Sequence, residues 1–303
     1  MEMTSRTASS PRVLLLGADG MLGRAWRALM ENRSEARGDR LIATNRQTCD
    51  ISDAGSIRAA FDSCAASPPK SGPTLVINCA AFSDVDGAES NEAQADQING
   101  PAVGELARCC AEAGALLVHY STDYVFNGRA TSPYPIDTPR DPINAYGRTK
   151  AHGESLLEAS SCRFLLVRTS WLYASWGKNF VITIANLARQ RPELRVVGDQ
   201  QGRPTSVEHL ARTTLALVEQ GAKGIRHVTD GGECTWYEFA RRIAGRANSQ
   251  CRIEPCTSDE FPRPATRPPY SVLDLTETEA DVGPMPHWSA NLDAVLDQLE
   301  VKP

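Results

Sequence analysis

The residues Arg12–Gly23, RVLLLGADGMLG, join an apolar segment to a turn whose three glycines have the spacing GxxGxxG. The apolar segment predicts a buried strand over Arg12–Leu16, and helical spacing of apolar residues predicts a helix over Met21–Glu31. Glycines let such a turn approach a pyrophosphate closely, and the helix amides bind its charge. A glycine triplet is also typical of ordinary turns, but its place between a strand and a helix favours a phosphate-binding turn.

Strands and helices continue to alternate as far as residue 170. Strands are predicted at Leu41–Thr44, Thr74–Asn78, Leu116–Tyr120 and Arg163–Thr169, and helices at Asp53–Cys64, Ala93–Ala113 and Asn144–Ala159. The strands are continuously apolar, which is typical of a parallel sheet covered on both faces. We therefore predict an α/β fold with a doubly wound parallel sheet of the Rossmann type.

The pattern is less regular after residue 170. Helices are predicted at Lys178–Arg189, Val207–Glu219 and Trp236–Ala247, a strand at Leu194–Val197, and a proline-rich surface loop at Pro255–Pro269. We predict that residues 12–170 and about 206–228 form an NAD(P)-binding Rossmann domain. Residues of about 171–205 and 229–303 would form a smaller, interleaved substrate-binding lobe. Residues 1–11 are polar and are expected to be a disordered tail rather than a secretion signal.

The overall composition excludes several classes of protein. The 303 residues carry a net charge of -5, which gives no general attraction to nucleic acids or to anionic membranes. Since the chain lacks a long apolar run, no membrane span is expected. Nine cysteines without CxxC spacing and five histidines without metal-ligand spacing predict reduced thiols, a cytoplasmic protein and no metal site.

The end of the second predicted strand suggests which cofactor is preferred. Asn45 and Arg46 follow that strand, where this fold meets the adenosine ribose. A basic residue suits a 2′-phosphate, so Arg46 favours NADPH over NADH, unless it is simply a solvated loop arginine. Asp50 and Ile51 lie where the adenine amine would be received, although Asp50 is equally suited to capping the next helix.

A tyrosine and a lysine provide candidate chemistry for proton transfer. Tyr146 and Lys150 have the spacing YxxxK, which places them on one face of a helix. A phenol has a pKa of about 10 in water, and a neighbouring ammonium is expected to lower the pKa of Tyr146 toward working pH. Thr122 follows the fourth predicted strand, where its hydroxyl can polarise the same carbonyl oxygen. Chance pairing and strand-end capping are the alternatives, but the three residues together favour a reductase.

At these motifs the chain resembles the dTDP-4-dehydrorhamnose reductases, a family of extended short-chain dehydrogenases/reductases. The resemblance runs from about residue 12 to residue 299 and is carried by NCAA (Asn78–Ala81), DVDGAE (Asp84–Glu89), STDYVFNG (Ser121–Gly128), NAYGRTK (Asn144–Lys150), RTSWLY (Arg168–Tyr173), GKNFV (Gly177–Val181), GDQQGRPT (Gly198–Thr205) and TWYEFA (Thr235–Ala240). The STDYVF and RTSW segments are the most specific to the family.

The resemblance implies the last step of dTDP-L-rhamnose synthesis, used in cell-surface polysaccharides. NADPH, or alternatively NADH, would reduce the C4 ketone of dTDP-4-dehydro-L-rhamnose. The implied catalytic residues are Thr122, Tyr146 and Lys150. The predicted cofactor-binding residues are Gly17, Asp19, Gly20, Met21, Leu22, Gly23, Asn45, Arg46, Asp50, Ile51, Cys79, Ala80, Ala81, Tyr146 and Lys150. The predicted substrate-binding residues are Ser83, Val85, Asp123, Tyr124, Trp171, Asn179 and Arg203.

Some residues depart from the pattern of related enzymes. Asp123 is followed by Tyr124, whereas related dehydratases have an Asp-Glu pair, so dehydration is disfavoured. Ala25 stands where some members have an acidic ligand for a magnesium ion at a dimer interface, so a homodimer is expected without a metal. Trp236 and Arg267 are further candidates in the lobe, with core packing slightly favoured for Trp236. A bidentate diphosphate contact is suggested for the arginines Arg203 and Arg267.

Two alternative functions remain. One is a reductase or epimerase of another nucleotide-linked deoxysugar, which would share the same Rossmann half. The other is a non-catalytic, NADP-binding regulatory subunit like that of methionine adenosyltransferase. The complete set of Thr122, Tyr146 and Lys150 favours catalysis over that regulatory role.

Overall fold

The computed structural model describes residues 12–37, 39–65 and 72–300. The expected tail at residues 1–11 lies outside the described residues. The strands are β1 (Arg12–Leu16), β2 (Arg40–Thr44), β3 (Leu75–Asn78), β4 (Leu116–Thr122), β5 (Arg163–Thr169), β6 (Leu172–Tyr173), β7 (Glu193–Val197), β8 (Gln201–Gly202), β9 (Thr205–Ser206), β10 (Gly224–His227), β11 (Cys234–Thr235) and β12 (Arg252–Cys256). The α-helices are α1 (Met21–Arg37), α2 (Ala54–Ala65), α3 (Val85–Ser90), α4 (Glu92–Asn99), α5 (Pro101–Ala113), α6 (Ala145–Glu158), α7 (Phe180–Gln190), α8 (Val207–Glu219), α9 (Trp236–Ala247), α10 (Thr276–Val282) and α11 (Trp288–Glu300).

A parallel sheet of six strands forms the centre of the molecule, in the order β2-β1-β3-β4-β5-β10. This confirms the predicted α/β class. The chain passes from β1 to β2 on one side and returns to β3 on the other, so the strand order reverses between β1 and β3. Ligands of open α/β sheets bind outside the carboxyl ends of the strands at such a point.

Alternating side chains of the strands pack into a separate apolar core on each face of this sheet. Val13 and Leu15 face the helices α1 and α8, whereas Leu14 and Leu16 face α2 and α5. Trp26 of α1 is fully buried, and its indole nitrogen donates a 2.7 Å hydrogen bond to the hydroxyl of Tyr120 on β4. This contact fixes the helix that follows the glycine turn against the central strand.

A third apolar core lies in the part of the chain assigned to the substrate lobe. It joins Tyr173 of β6 to residues of α7, α9 and α11, with Phe239 and Leu292 fully buried at its centre. This core supports the division into a Rossmann domain and a lobe, and the boundaries of that division remain a prediction. Among the described residues, no helix has the length and apolar character needed to cross a membrane.

The single helix predicted over Ala93–Ala113 is wrong. The chain forms α4 and α5 instead, separated at Gly100, and a short α3 precedes them. Pro101 has no backbone N–H and occupies the first turn of α5, where none is needed, so a new helix begins there. Gly100 has no side chain, which also lets α6 approach, because a Cβ there would lie 2.7 Å from Nδ1 of His152.

Several elements of the later half were not predicted. The strand β10 contains Ile225 as its one strongly apolar residue, so an apolar run does not mark it. The expected loop at Pro255–Pro269 begins two residues later, since Pro255 and Cys256 pair with β7 as part of β12. The helices α10 and α11 were also missed.

Candidate active site

A cavity of about 700 Å³ lies at the carboxyl ends of β1, β3, β4 and β5. It brings together residues that the sequence places far apart. Its lining includes the predicted residues Gly17, Asp19, Gly20, Met21, Leu22, Asn45, Arg46, Asp50, Ile51, Cys79, Ala80, Ala81, Ser83, Val85, Thr122, Asp123, Tyr124, Tyr146, Lys150 and Trp171. Gly23, Asn179 and Arg203 were also predicted for the site but do not line the cavity.

The glycine turn after β1 allows two close backbone approaches. Gly17 has a φ of +73°, and a Cβ there would lie 2.7 Å from the backbone nitrogen of Ala80 after β3. A Cβ on Gly23 would lie 2.0 Å from the carbonyl oxygen of Gly17. Gly23 packs α1 against the turn and does not line the cavity. Gly20, Met21 and Leu22 form part of the cavity wall.

Polar side chains follow β2 at one end of the cavity. The amide of Asn45 donates a 2.7 Å hydrogen bond to Oδ2 of Asp19. The side chain of Arg46 is 79% exposed, and its Nε lies 3.9 Å from Oδ2 of Asp50. Hydrogen bonds from Ser52 lower the pKa of Asp50, so this carboxylate is charged at neutral pH.

The start of α6 is held by hydrogen bonds on two sides. Asn144 caps the helix, because its Oδ1 accepts from the backbone N–H of Gly147 at 2.8 Å. Its Nδ2 donates to the carbonyl oxygen of Thr266, and the backbone N–H of Ala145 donates to Oε1 of Glu89. The next residue, Tyr146, is thus fixed on the first turn of the helix and faces the cavity.

The pKa of Tyr146 does not shift in the direction expected from the sequence. Burial raises the pKa of Tyr146, the charge of Asp123 adds to this, and a hydrogen bond with Thr122 opposes it. Burial lowers the pKa of Lys150 to about 8, and its Nζ donates a 2.6 Å hydrogen bond to the carbonyl oxygen of Tyr120. The expectation that Lys150 lowers the pKa of Tyr146 is therefore wrong for this structure. Tyr146 is a protonated phenol at neutral pH and is suited to act as an acid.

Asp123 adds a buried carboxyl group beside these residues. Its Oδ1 accepts a 2.9 Å hydrogen bond from the hydroxyl of Thr122, and its Oδ2 has no hydrogen-bond partner among the described residues. Burial raises the pKa of Asp123 to about 7. A cavity-lining carboxyl oxygen without a partner can hydrogen-bond a hydroxyl group of a ligand.

Comparisons with known proteins identify the family. The model of the RmlD substrate binding domain family matches residues 11–301. The dTDP-4-dehydrorhamnose reductase of Streptomyces griseus is 39% identical over 292 residues, covering 93% of this chain and 92% of the relative. This chain belongs to the dTDP-4-dehydrorhamnose reductase family. The dTDP-4-keto-6-deoxy-D-glucose reductase of Streptomyces niveus is 40% identical over 286 residues, covering 93% and 95% of the two chains.

A solved structure of the same family has the same fold. The dTDP-4-dehydrorhamnose reductase of Bacillus anthracis, in complex with NADP, superposes with a TM-score of 0.89 at 31% identity and covers 95% of this chain and 99% of its own. A UDP-glucose 4-epimerase of Thermus thermophilus in complex with NAD has a TM-score of 0.80 at 19% identity, over 96% of this chain and all of its own. That second likeness shows the fold alone.

Two tryptophans form the wall of the cavity on the lobe side. The ring of Trp171 stacks on that of Trp236, with centroids 3.5 Å apart and planes 9° from parallel. Trp171 has a φ of +48° and is the single described non-glycine residue with a positive φ. Core packing was slightly favoured for Trp236, and its ring does contact Phe180 of the lobe core. Trp236 also lines the cavity, so it contributes to both.

Other lobe candidates have structural partners. Asn179 caps α7, with Oδ1 accepting from the backbone N–H of Ile182 and Nδ2 donating to the carbonyl oxygen of Ala174. Arg267, suggested for a diphosphate, forms an ion pair with Asp86. Arg203 lies outside the lining, and its buried Nε has no hydrogen-bond partner among the described residues. These contacts hold Asn179 and Arg267 in place, and a contact of either residue with a ligand stays a prediction.

Several lining residues were not singled out from the sequence. They are Cys49, Phe82, Ile98, Tyr120, Ser121, Thr169, Ser170, Leu172 and Lys178. Tyr120, Ser121 and Thr169 lie at the carboxyl ends of β4 and β5, so strand-end position alone could have found them. Within the described ranges, no three or more His, Cys, Asp and Glu side chains are grouped to hold a metal ion, and Ala25 is buried.

Proposed function

We propose that this protein reduces the C4 ketone of dTDP-4-dehydro-L-rhamnose to give dTDP-L-rhamnose, with NADPH as the reductant. The observation that carries the proposal is the cavity in which Thr122, Tyr146 and Lys150 lie together, with the glycine turn at its other end. The names of the relatives from Streptomyces and Bacillus support a reductase of a dTDP-linked sugar.

The residues present suit a dinucleotide. Gly17 and Gly23 let the turn pack tightly against Ala80 and the start of α1, and the free backbone amides at the start of that helix can bind a pyrophosphate. Asn45, Arg46 and Asp50 would hold the adenosine end, and Tyr146 and Lys150 the nicotinamide ribose. When bound, NADPH supplies the hydride that is added to C4 of the sugar.

The remaining chemistry belongs to side chains of the protein. Tyr146 donates its phenolic proton to the oxygen on C4, and the raised pKa of its hydroxyl keeps that proton available at neutral pH. Thr122 orients the same oxygen through its hydroxyl. Lys150 is buried in the same cavity, where its ammonium would hydrogen-bond the nicotinamide ribose of the cofactor. Asp123, Tyr124, Ser83 and Val85 would contact the sugar.

A second candidate substrate is dTDP-4-keto-6-deoxy-D-glucose. The name of the relative from Streptomyces niveus gives that substrate. This relative is as similar to the chain as the relatives named dTDP-4-dehydrorhamnose reductase are. Both candidates carry a C4 ketone next to a dTDP-linked ring, so the same three residues would act on either. They differ in the sugar pocket, to which Trp171 and Asp123 contribute.

A cytoplasmic location and a homodimer belong to the same proposal. All nine cysteines are free thiols, which supports a reducing compartment. Size-exclusion chromatography with light scattering measures the assembly directly. A monomeric mass near 33 kDa would overturn the homodimer.

The test of the function is an assay of NADPH oxidation with both sugars. dTDP-4-dehydro-L-rhamnose is made in situ from dTDP-glucose by the enzymes that precede the reductase, and dTDP-4-keto-6-deoxy-D-glucose is run in parallel. NADH is tested beside NADPH. Rapid oxidation with formation of dTDP-L-rhamnose is expected. Bound NADPH without oxidation of either sugar would overturn the proposed reaction and leave the cofactor site.

A further inference from the structure

Lys178 reaches the cavity from the lobe, in the short segment between β6 and α7. This segment is fixed against the first residue of α1. The indole nitrogen of Trp176 donates a 3.1 Å hydrogen bond to the carbonyl oxygen of Met21, and Nδ2 of Asn179 lies 3.7 Å from its Sδ. Gly177 has a φ of +72°, and a Cβ there would be in van der Waals contact with Cβ of Met21, at 3.8 Å. Lys178 is therefore held beside the start of α1.

Three positively charged side chains line the described cavity wall, and each lies in a different environment. Among the described lining residues they are Arg46, Lys150 and Lys178. Arg46 lies after β2 at the adenosine end, and Lys150 is buried with its Nζ bonded to a backbone carbonyl oxygen. Lys178 is exposed and forms no ion pair or hydrogen bond with any other described side chain. Its ammonium is thus available to a ligand.

The position of Lys178 suits a diphosphate. Gly20, Met21 and Leu22 line the cavity on the Rossmann side, at the start of α1, where the free backbone amides of a helix favour negative charge. Lys178 approaches the same place from the lobe side, beside Met21. An ammonium is a compact point charge that binds phosphate well without demanding planar geometry.

We infer that Lys178 binds a diphosphate group between the lobe and the glycine turn. The inference rests on the proposed function, in which both the cofactor and the nucleotide sugar carry a diphosphate. Contact of its segment with Met21 favours the diphosphate of the cofactor. The bound cofactor would then be held by both parts of the molecule.

The test compares Lys178→Gln with the wild type in direct binding measurements. Lys178→Arg keeps the charge, and Lys223→Gln is the matched control, because Lys223 is an exposed lysine outside the cavity wall. The Kd of NADPH is measured by fluorescence titration and that of dTDP by calorimetry. Neither measurement requires turnover. We expect Lys178→Gln to weaken binding of one ligand about 10-fold, Lys178→Arg to keep most of the affinity, and the loss to shrink as salt is added.

The outcomes separate the sources of the diphosphate. A weaker Kd for NADPH alone assigns Lys178 to the cofactor, and a weaker Kd for dTDP alone assigns it to the nucleotide sugar. If Lys178→Gln binds both as tightly as Lys223→Gln does, the inference is wrong while the proposed function stands. A wild-type protein that binds neither ligand would overturn both.

Discussion

The hydroxyl of Thr122 donates a hydrogen bond of 2.9 Å to Oδ1 of Asp123, and both side chains are almost completely buried. This contact joins a catalytic candidate to a carboxyl group whose charge also raises the pKa of Tyr146. The protonation state of Asp123 therefore influences both groups that are expected to act on the ketone. The protonation of Asp123 can be followed by measuring how the free energy of unfolding depends on pH.

Replacement of Asp123 by Asn should change how stability depends on pH. Burial raises the pKa of Asp123 to about 7 in the folded protein. At pH values between the ordinary pKa of an aspartate and 7, the folded protein therefore holds a proton that the unfolded chain has lost. The stability of the wild type therefore falls, relative to Asp123→Asn, as pH rises from 5 to 8. The expected change is about 2–3 kcal/mol in the free energy of unfolding from urea titrations. Asp259→Asn, at an exposed position, should show no such change, and parallel curves for wild type and Asp123→Asn would contradict the raised pKa.

Tyr146→Phe should remove the proton donor and leave the cofactor site intact. The variant lacks the single hydroxyl, so the turnover number should fall about 10²–10⁴-fold. The Kd of NADPH should change far less than turnover, since Lys150 and the glycine turn still hold the cofactor when the tyrosine hydroxyl is lost. Turnover at the wild-type rate would show that another group protonates the ketone.

Arg46→Asp should shift the cofactor preference from NADPH toward NADH. Arg46 can approach a 2′-phosphate because its side chain is largely exposed and its ion pair with Asp50 is long, at 3.9 Å. Loss of a charge-assisted contact, with repulsion from the new carboxylate, should weaken NADPH binding about 10–100-fold. NADH should bind as well as before or better. Equal losses for both cofactors would mean that Arg46 does not read the phosphate.

Glu154→Gln should destabilise the protein strongly. Glu154 and Arg168 are both fully buried and form an ion pair of 2.7 Å one helical turn after Lys150. Removing one partner leaves a buried guanidinium without its counter-charge, at a cost of about 3–5 kcal/mol. Glu158→Gln is the control, because Glu158 pairs with Arg140 at a more exposed position and should lose less than about 1 kcal/mol. Similar thermal midpoints for the two variants would contradict this view of the pair.

The parallel sheet, the glycine turn and the catalytic candidates could be predicted because each depends on local sequence, whereas wall residues such as Asp123 and Trp171 were expected from the family resemblance. Apolar segments mark β1, β3, β4 and β5, and their carboxyl ends carry the glycine turn and Thr122. Tyr146 and Lys150 lie one helical turn apart, so their spacing alone places them on one face of α6. Ligand sites at strand ends follow from the fold itself.

Features that depend on tertiary contacts could not be predicted in this way. The stack of Trp171 on Trp236 joins residues 65 positions apart, and nothing in either segment marks the other. The raised pKa of Tyr146 depends on burial and on Asp123, and these outweigh the expected effect of a lysine four residues away. Asn179 is predicted to contact the substrate, and the sequence did not reveal that the start of α7 uses its side chain as a cap.

Gly202→Ala should disturb the sugar side of the cavity alone. A Cβ at Gly202 would lie 2.6 Å from Cε2 of Trp171, so the ring must move from its stack on Trp236. If Trp171 contacts the sugar, such a shift should lower kcat/KM for the nucleotide sugar about 10²-fold while the Kd of NADPH stays unchanged. Gly245→Ala is the matched control, because a Cβ there meets nothing within 4 Å. A Gly202→Ala enzyme with wild-type kcat/KM would place the sugar away from Trp171, whereas an equal loss of NADPH affinity would indicate a general distortion of the lobe.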